Sequence, residues 1–163
     1  MSRTTQKCEF VERYGGVYEH SPWIAEKCWC DHPQTEDATE LAAAMAAIVD
    51  ASSVEAKLAL IRAHPDLAGK LAVAGELTSA SSAEQARAGL DQCSEAEYDQ
   101  FQRLNTAYTA RFDFPFIMAV RNSTRTEILA AFEARVNNTY EQEFSTAIDE
   151  IHKIARLRLQ QAI

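Results

Sequence analysis

The chain is short of everything that would make it a membrane, nucleic-acid or phosphate-loop protein. No apolar run approaches the roughly 20 residues that a membrane helix needs. Residues Met1 to Lys7 are polar and lack the apolar core of a signal peptide. The C-terminal Gln160-Gln161-Ala162-Ile163 carries no recognisable address tag. No basic stripe is present: the only basic cluster is Lys153, Arg156 and Arg158, inside an amphipathic run. The formal charge of -8 keeps nucleic acid out of consideration and tells little about fold. Glycine and proline are scarce, at 5 and 4 of 163 residues, which favours helix over turn-rich sheet. No GxGxxG, Walker A or Gly-x-Ser-x-Gly pattern occurs, and Gly15-Gly16 reads as a helix stop. Four cysteines without a signal peptide read as reduced thiols. The cytosol is therefore the expected location, and the Asn122 and Asn137 sequons carry no meaning there.

What is present suits one domain spanning 1–163 with a real core. Hydrophobic residues make up 47% and charged ones 25%, the balance of an ordinary globular protein. Ser or Thr followed three residues later by Glu or Gln marks a capping box, in which each side chain satisfies a backbone N–H of the other. The pattern occurs at Ser52/Glu55, Ser81/Glu84, Ser94/Glu97, Thr124/Glu127 and Thr139/Gln142. Ser21-Pro22 and Thr35 add two further helix starts.

Between these starts the apolar residues recur at helical spacing. Leu41, Met45, Ile48 and Val49 form one face. Leu58 and Ile61 belong to a short helix that stops at His64-Pro65. Phe101, Leu104, Asn105 and Tyr108 lie on a helix of about 95 to 111. Ile128, Leu129, Phe132 and Val136 mark another. Ile148, Ile151, Ile154 and Leu159 line a long last one. Phe116-Ile117-Met118-Ala119-Val120 is the one β-like run, and because it follows Pro115 it reads as an extended segment, not a sheet strand. The expectation is an all-α fold, a bundle of about eight helices with no significant sheet.

Three places could carry chemistry. His64 is held at a helix end by the proline after it, which suits an acid/base group and equally a histidine that complements the helix dipole. Glu84 reads as the capping partner of Ser81, or as part of a polar corner in which Ser81 and Gln85 offer a hydroxyl and an amide beside free N–H groups. Arg158 shares the apolar face of Ile151 and Ile154, so it needs a carboxylate from the protein or from a ligand, unless it snorkels. Residues 64 to 82 are the longest stretch rich in small and polar residues, where a site on a rigid scaffold would sit. Cys28-Trp29-Cys30-Asp31-His32 has no second ligand pair at zinc spacing, so no metal is expected. No partner His stands at motif spacing for a cysteine nucleophile either.

Four stretches together resemble one family. They are His64-Pro65-Asp66-Leu67-Ala68; Ser81 to Gln85 with Ala88-Gly89-Leu90; Asn105-x-x-Tyr108-x-x-Arg111-Phe112-x-Phe114-Pro115-Phe116; and Lys153-Ile154-x-x-Leu157-Arg158-Leu159. In order and spacing they resemble the OHCU decarboxylases, which act on 2-oxo-4-hydroxy-4-carboxy-5-ureidoimidazoline. The likeness runs from about Phe10 to Leu159. It implies an all-α homodimer that needs no cofactor and converts OHCU to (S)-allantoin and CO₂. It implies His64 as the acid/base residue and Glu84 as a residue that binds or orients the substrate, and Glu84 is further expected to fix the position of His64. Ser81, Gln85 and Arg158 would bind substrate, and Pro65 with the main chain of Phe116, Ile117, Met118, Ala119 and Val120 would line the pocket. These groups are expected to share one small cavity. One departure stands out: the family usually has glycine where this chain has Asp113, a tolerable change if that position needs positive φ. A ureide hydrolase on the same scaffold and a non-enzymatic helical interaction module remain open alternatives.

Overall fold

The computed structural model describes residues 2–31, 35–69 and 75–163. Among these there are eight α-helices, a short 3-10 turn at Leu90–Gln92 and no β-strand, so the expected all-α fold holds. The helices are α1 (Arg3–Tyr14), α2 (Trp23–Asp31), α3 (Ala38–Asp50), α4 (Val54–Ala63), α5 (Ser79–Arg87), α6 (Glu95–Phe112), α7 (Arg125–Arg135) and α8 (Tyr140–Ala162). Among the described residues no helix is long and apolar enough to cross a membrane.

The chain divides into two compact units. One comprises Met1–Ala63 with Ile151–Ile163, the other His64–Glu150. In the first, α3 buries Leu41, Met45, Ile48 and Val49, as its periodicity requires, and the end of α8 buries Ile151, Ile154 and Leu159. In the second, the core is aromatic. The Tyr108 ring lies 4.5 Å from Phe112 and 5.5 Å from Phe116, while Phe116 and Phe132 stack at 3.9 Å. Such rings bury large areas and add pairwise preferences beyond area alone.

Three capping boxes form as the sequence predicts. Ser94/Glu97 and Thr124/Glu127 are both reciprocal, and Thr139 exchanges its hydroxyl and N–H with Gln142 at 3.2 and 3.0 Å. Four other starts move by one to three residues. Asp37, not Thr35, caps α3, because its carboxylate takes the Glu40 N–H at 2.9 Å while the Thr35 hydroxyl goes to the Glu40 side chain. Ser53, not Ser52, accepts from Ala56; the Ser52 hydroxyl instead donates to Val49 O, closing the helix before it. At α2, Ser21 O takes the Ile24 N–H and Pro22 O the Glu26 N–H, but Ser21 turns its hydroxyl back to Glu19 O and does not cap the helix with it. Thr78, not Ser81, caps α5. Where several oxygen-bearing side chains crowd one stretch, any of them satisfies the free amides, and the tertiary path decides.

α6 ends at Asp113, whose φ of 59° and ψ of 29° are left-handed. This position does need positive φ, and a short polar side chain tolerates it.

Candidate active site

His64 is the first residue after α4 and only 7% exposed. The turn that follows it has no regular structure, so its backbone groups need partners from elsewhere. Three side-chain amides supply them. Gln85 accepts the Ala68 N–H on Oε1 at 3.0 Å and donates from Nε2 to Asp66 O at 3.2 Å. Gln102 Nε2 donates to Ala68 O at 2.8 Å, and Asn105 Nδ2 donates to Leu67 O at 3.0 Å. The cradle holds Ala68 at a φ of 49°, a left-handed conformation that costs a residue with a Cβ roughly 1–2 kcal/mol. Strain of this kind persists only where the surroundings over-determine it. Partial burial of the Asp66 carboxyl in the same turn pushes its pKa up. The Oδ1 of buried Asn105 has no hydrogen-bond partner among the described residues.

α5 carries Ser81, Glu84 and Gln85. Ser81 and Gln85 are both buried, four residues apart on one face. With Thr78 as the cap, Ser81 is the third helical residue and its N–H is spent on Thr78 Oγ1 at 3.3 Å. The reading of Ser81 as the helix start, with free amides beside it, is therefore corrected. Glu84 lies a turn further in and cannot be the partner in a capping box. Gln85 was expected to bind substrate; both polar atoms of its amide are engaged with the turn after His64–Pro65, though each keeps a second hydrogen-bonding position by its chemistry.

The run Phe116–Val120 belongs to no strand, as expected. Two helices hold it by side chains. Arg135 of α7 donates from NH1 to Ile117 O at 2.6 Å, and Glu150 of α8 accepts the Ala119 N–H at 2.9 Å. Arg135 also lies over the Phe116 ring, 4.3 Å from its centroid. Glu143, with no exposed surface, aligns Arg135: its carboxylate receives Arg135 Nε at 2.9 Å, Asn138 Nδ2 at 3.0 Å and the Tyr108 hydroxyl at 2.5 Å. Burial first, and then the Glu143 carboxylate, push the Tyr108 phenol far above its ordinary pKa, so it stays a donor. One helix thus serves both places. Asn105 of α6 reaches the His64 turn, and Tyr108, one turn on, packs against Phe116.

Arg158 belongs to the other unit. It is 8% exposed, on the face of Ile151 and Ile154 that the sequence assigned it. Its NH1 meets Glu19 Oε2 at 2.8 Å and Gly16 O at 3.1 Å. The protein itself therefore supplies a carboxylate. In the same unit Tyr18 hydrogen-bonds His152 Nδ1 at 2.8 Å, and His152 Nε2 reaches Asp50 at 2.9 Å.

Sequence reasoning missed Glu19, Gln102, Arg135, Glu143 and Glu150. The only local signal was a polar residue on an otherwise apolar face, as for Glu143 four residues before Ala147. In the Cys-Trp-Cys stretch Cys28 is buried and Cys30 exposed, as their spacing of two on a helix dictates, and burial raises the Cys28 thiol pKa. His32 lies outside the described residues, among which no three His, Cys, Asp or Glu side chains gather as metal ligands.

Residues 3–160 match the family model described as OHCU decarboxylase. A 2-oxo-4-hydroxy-4-carboxy-5-ureidoimidazoline decarboxylase of Haloferax volcanii is 48% identical over 150 residues, covering 92% of this chain and 86% of that one. A protein of the same description from Halalkalicoccus jeotgali is 43% identical over 155 residues, covering 95% and 85%. The solved structure of an (S)-allantoin synthase superposes with a TM-score of 0.77 at 40% identity over 96% of this chain, which spans 50% of that longer one.

Proposed function

The chain belongs to the OHCU decarboxylase family, and from that premise we propose that it is a carboxy-lyase of urate degradation, converting OHCU to (S)-allantoin and CO₂. The chemistry explains why no cofactor is called on. The carbon that loses CO₂ bears a hydroxyl and adjoins a C=N bond. When the bond to the carboxylate breaks, its electron pair forms a new C=C bond. The former C=N pair then comes to rest on nitrogen, which takes a proton. The ene-diamine so formed is protonated at the ureido-bearing carbon, and the hydroxyl gives up its proton to become the ring carbonyl. One proton enters for each CO₂ that leaves.

His64 moves protons in this scheme, taking the hydroxyl proton and supplying one to the ureido-bearing carbon from a single face, which gives a single enantiomer. Acid/base help of this sort contributes about 10²–10⁴-fold. Glu84 orients it. Ser81, Gln85 and Arg158 hold the polar edge of the substrate, with Arg158 toward an anionic or carbonyl group, and Pro65 and the Phe116–Val120 main chain line the hollow. The enzyme works as a homodimer in the cytosol, on a free small molecule, with neither nucleic acid nor membrane as partner.

The observation that supports this best is the buried imidazole at the end of α4, followed by a turn that three amides hold in a strained conformation. A general acid/base needs such fixed placement. The test generates OHCU in situ from urate and follows allantoin by circular dichroism. The parent protein gives optically active allantoin, and His64→Asn, folded by its far-ultraviolet spectrum, gives only the slow racemic product. Full stereospecific turnover in His64→Asn would remove His64 from the chemistry, and racemic product from the parent would remove the decarboxylase reading.

A further inference from the structure

A segment that lines a site without belonging to a sheet must be held in register by something else. In extended backbone the carbonyl of one residue and the N–H of the residue two further on point to the same side. Ile117 and Ala119 stand two residues apart, the spacing of such a pair. Two of their groups are taken by side chains where a sheet would offer a neighbouring strand: Ile117 O by Arg135 and Ala119 N–H by Glu150. Met118, between them, spends neither its N–H nor its C=O on a described residue. The run is thus anchored on one side at Ile117 O and Ala119 N–H, while on its other edge the Met118 groups are open among the described residues and Val120 O takes the Ser123 N–H at 3.1 Å.

We propose that Glu150 and Arg135 are positioning residues that fix the register of this open edge toward the substrate, with Glu143 acting through Arg135. A flat, amide-rich ring offers donors and acceptors at fixed separations. Reading them from a main chain works only if that chain cannot slip, because a shift of one residue turns the opposite set of groups toward the ligand. The two anchors come from different helices, two residues apart on the segment, so together they set both its position and its rotation. Glu143 completes the device. It receives Nε of the Arg135 guanidinium, and NH1 is left aimed at Ile117. Only a forked, planar cation can serve a carboxylate and a carbonyl at once. The ligand in this inference is the one proposed above, so its kinetic part rests on that reading; the anchoring itself does not.

Glu150→Ala removes the acceptor for Ala119, whereas Glu150→Gln keeps an oxygen there. Arg135→Lys keeps a positive charge beside Glu143 but lacks the fork. In the coupled assay Glu150→Ala raises KM about tenfold, the worth of one hydrogen bond to a charged group, and leaves kcat within about threefold. Glu150→Gln restores KM, and Arg135→Lys shifts it in the same direction as Glu150→Ala. In the unliganded protein, hydrogen exchange at the Ala119 amide speeds up in Glu150→Ala and not in Glu150→Gln. A parental KM in Glu150→Ala, or a Glu150→Gln variant as impaired as Glu150→Ala, overturns the proposal. Glu150 is only half-buried, so its variants carry the test even if Arg135→Lys fails to fold. Should the parent itself show no turnover, the decarboxylase reading falls. The exchange measurement then stands alone, with unchanged protection at Ala119 refuting the anchor.

Discussion

Glu19→Ala is the most telling perturbation of the first unit, because its size follows from burial. The Glu19 and Arg158 side chains are 1% and 8% exposed and meet at 2.8 Å. Neither water nor salt screens a pair so placed as it would a surface pair. Removing the carboxylate leaves a guanidinium in the interior with the Gly16 carbonyl still on its NH1. Breaking one side of a buried pair costs about 3–5 kcal/mol. For a chain of this length each kcal/mol moves the midpoint by about 2–4 °C, so Glu19→Ala lowers Tm by about 6–20 °C. Glu19→Gln keeps an acceptor and loses the charge, at about 1.5–3 kcal/mol. The double variant Glu19→Leu/Arg158→Met, which removes both charges and fills the space, is more stable than Glu19→Ala, since apolar replacements of whole buried pairs are often neutral. Thermal and urea unfolding of the four proteins measure all of this. A Glu19→Ala midpoint within about 2 °C of the parent would refute the reasoning, because nothing in the area terms of a glutamate would then mask a lost buried pair. A double variant less stable than Glu19→Ala would refute it as well.

Two further expectations concern the irregular segments. The Asp66 carboxyl has its folded-state pKa raised by burial, so its contribution to stability is fully present only below the ordinary aspartate value and is lost as pH rises through the folded one. Asp66→Asn, which leaves the Asp66 carbonyl bond to Gln85 intact, is therefore more stable than the parent at pH 7, and the advantage vanishes near pH 3; urea midpoints at the two pH values test it, and an advantage that grew on acidification would reverse the sign. At Asp113 the left-handed backbone separates two substitutions: Asp113→Gly stays within about 1 kcal/mol of the parent, because relief of the left-handed conformation and greater unfolded-state entropy offset each other, while Asp113→Val costs about 1–2 kcal/mol or more, readable as a lower Tm.

The helices were legible because their information is local. Apolar spacing marked the buried faces of α3, α6 and α8, and three capping boxes marked starts that the structure reproduces. Cap choice failed where oxygen-bearing residues run together, as at Ser52-Ser53 and from Thr78 to Ser82, since each can satisfy the same amides and only the path of the chain selects one. Pro115 sufficed to deny Phe116–Val120 a place in a sheet, but nothing local could say that Arg135 and Glu150 would hold it. The apolar face around Arg158 demanded a carboxylate, and the demand was met by Glu19 from the far end of the sequence. Pairings of that kind depend on which helices pack together, and a single sequence carries no record of them.

An all-helical scaffold that builds its site from irregular backbone has a specific problem. A sheet satisfies the peptide groups beside a pocket automatically, whereas a loop lying against helices must borrow partners from their side chains. This requirement accounts for polar residues that periodicity alone would call misplaced. On α6, Gln102 and Asn105 interrupt a face that otherwise runs Phe101, Tyr108 and Phe112, and both spend their amides on the turn after His64. On α7 and α8, Arg135, Glu143 and Glu150 do the same for Phe116–Val120. An apolar side chain fully buried at such a position would contribute about 1.5–3 kcal/mol, and less at Gln102, Arg135 and Glu150, which are half-buried. The fold gives up part of that stabilisation at these five positions and at Gln85, and all six serve two segments. Such a concentration is hard to explain as a requirement of folding, because shorter or regular connections would need no such partners. It follows naturally if the two segments must each hold one shape, as the proposed delivery of a proton to one face of a small ring would require.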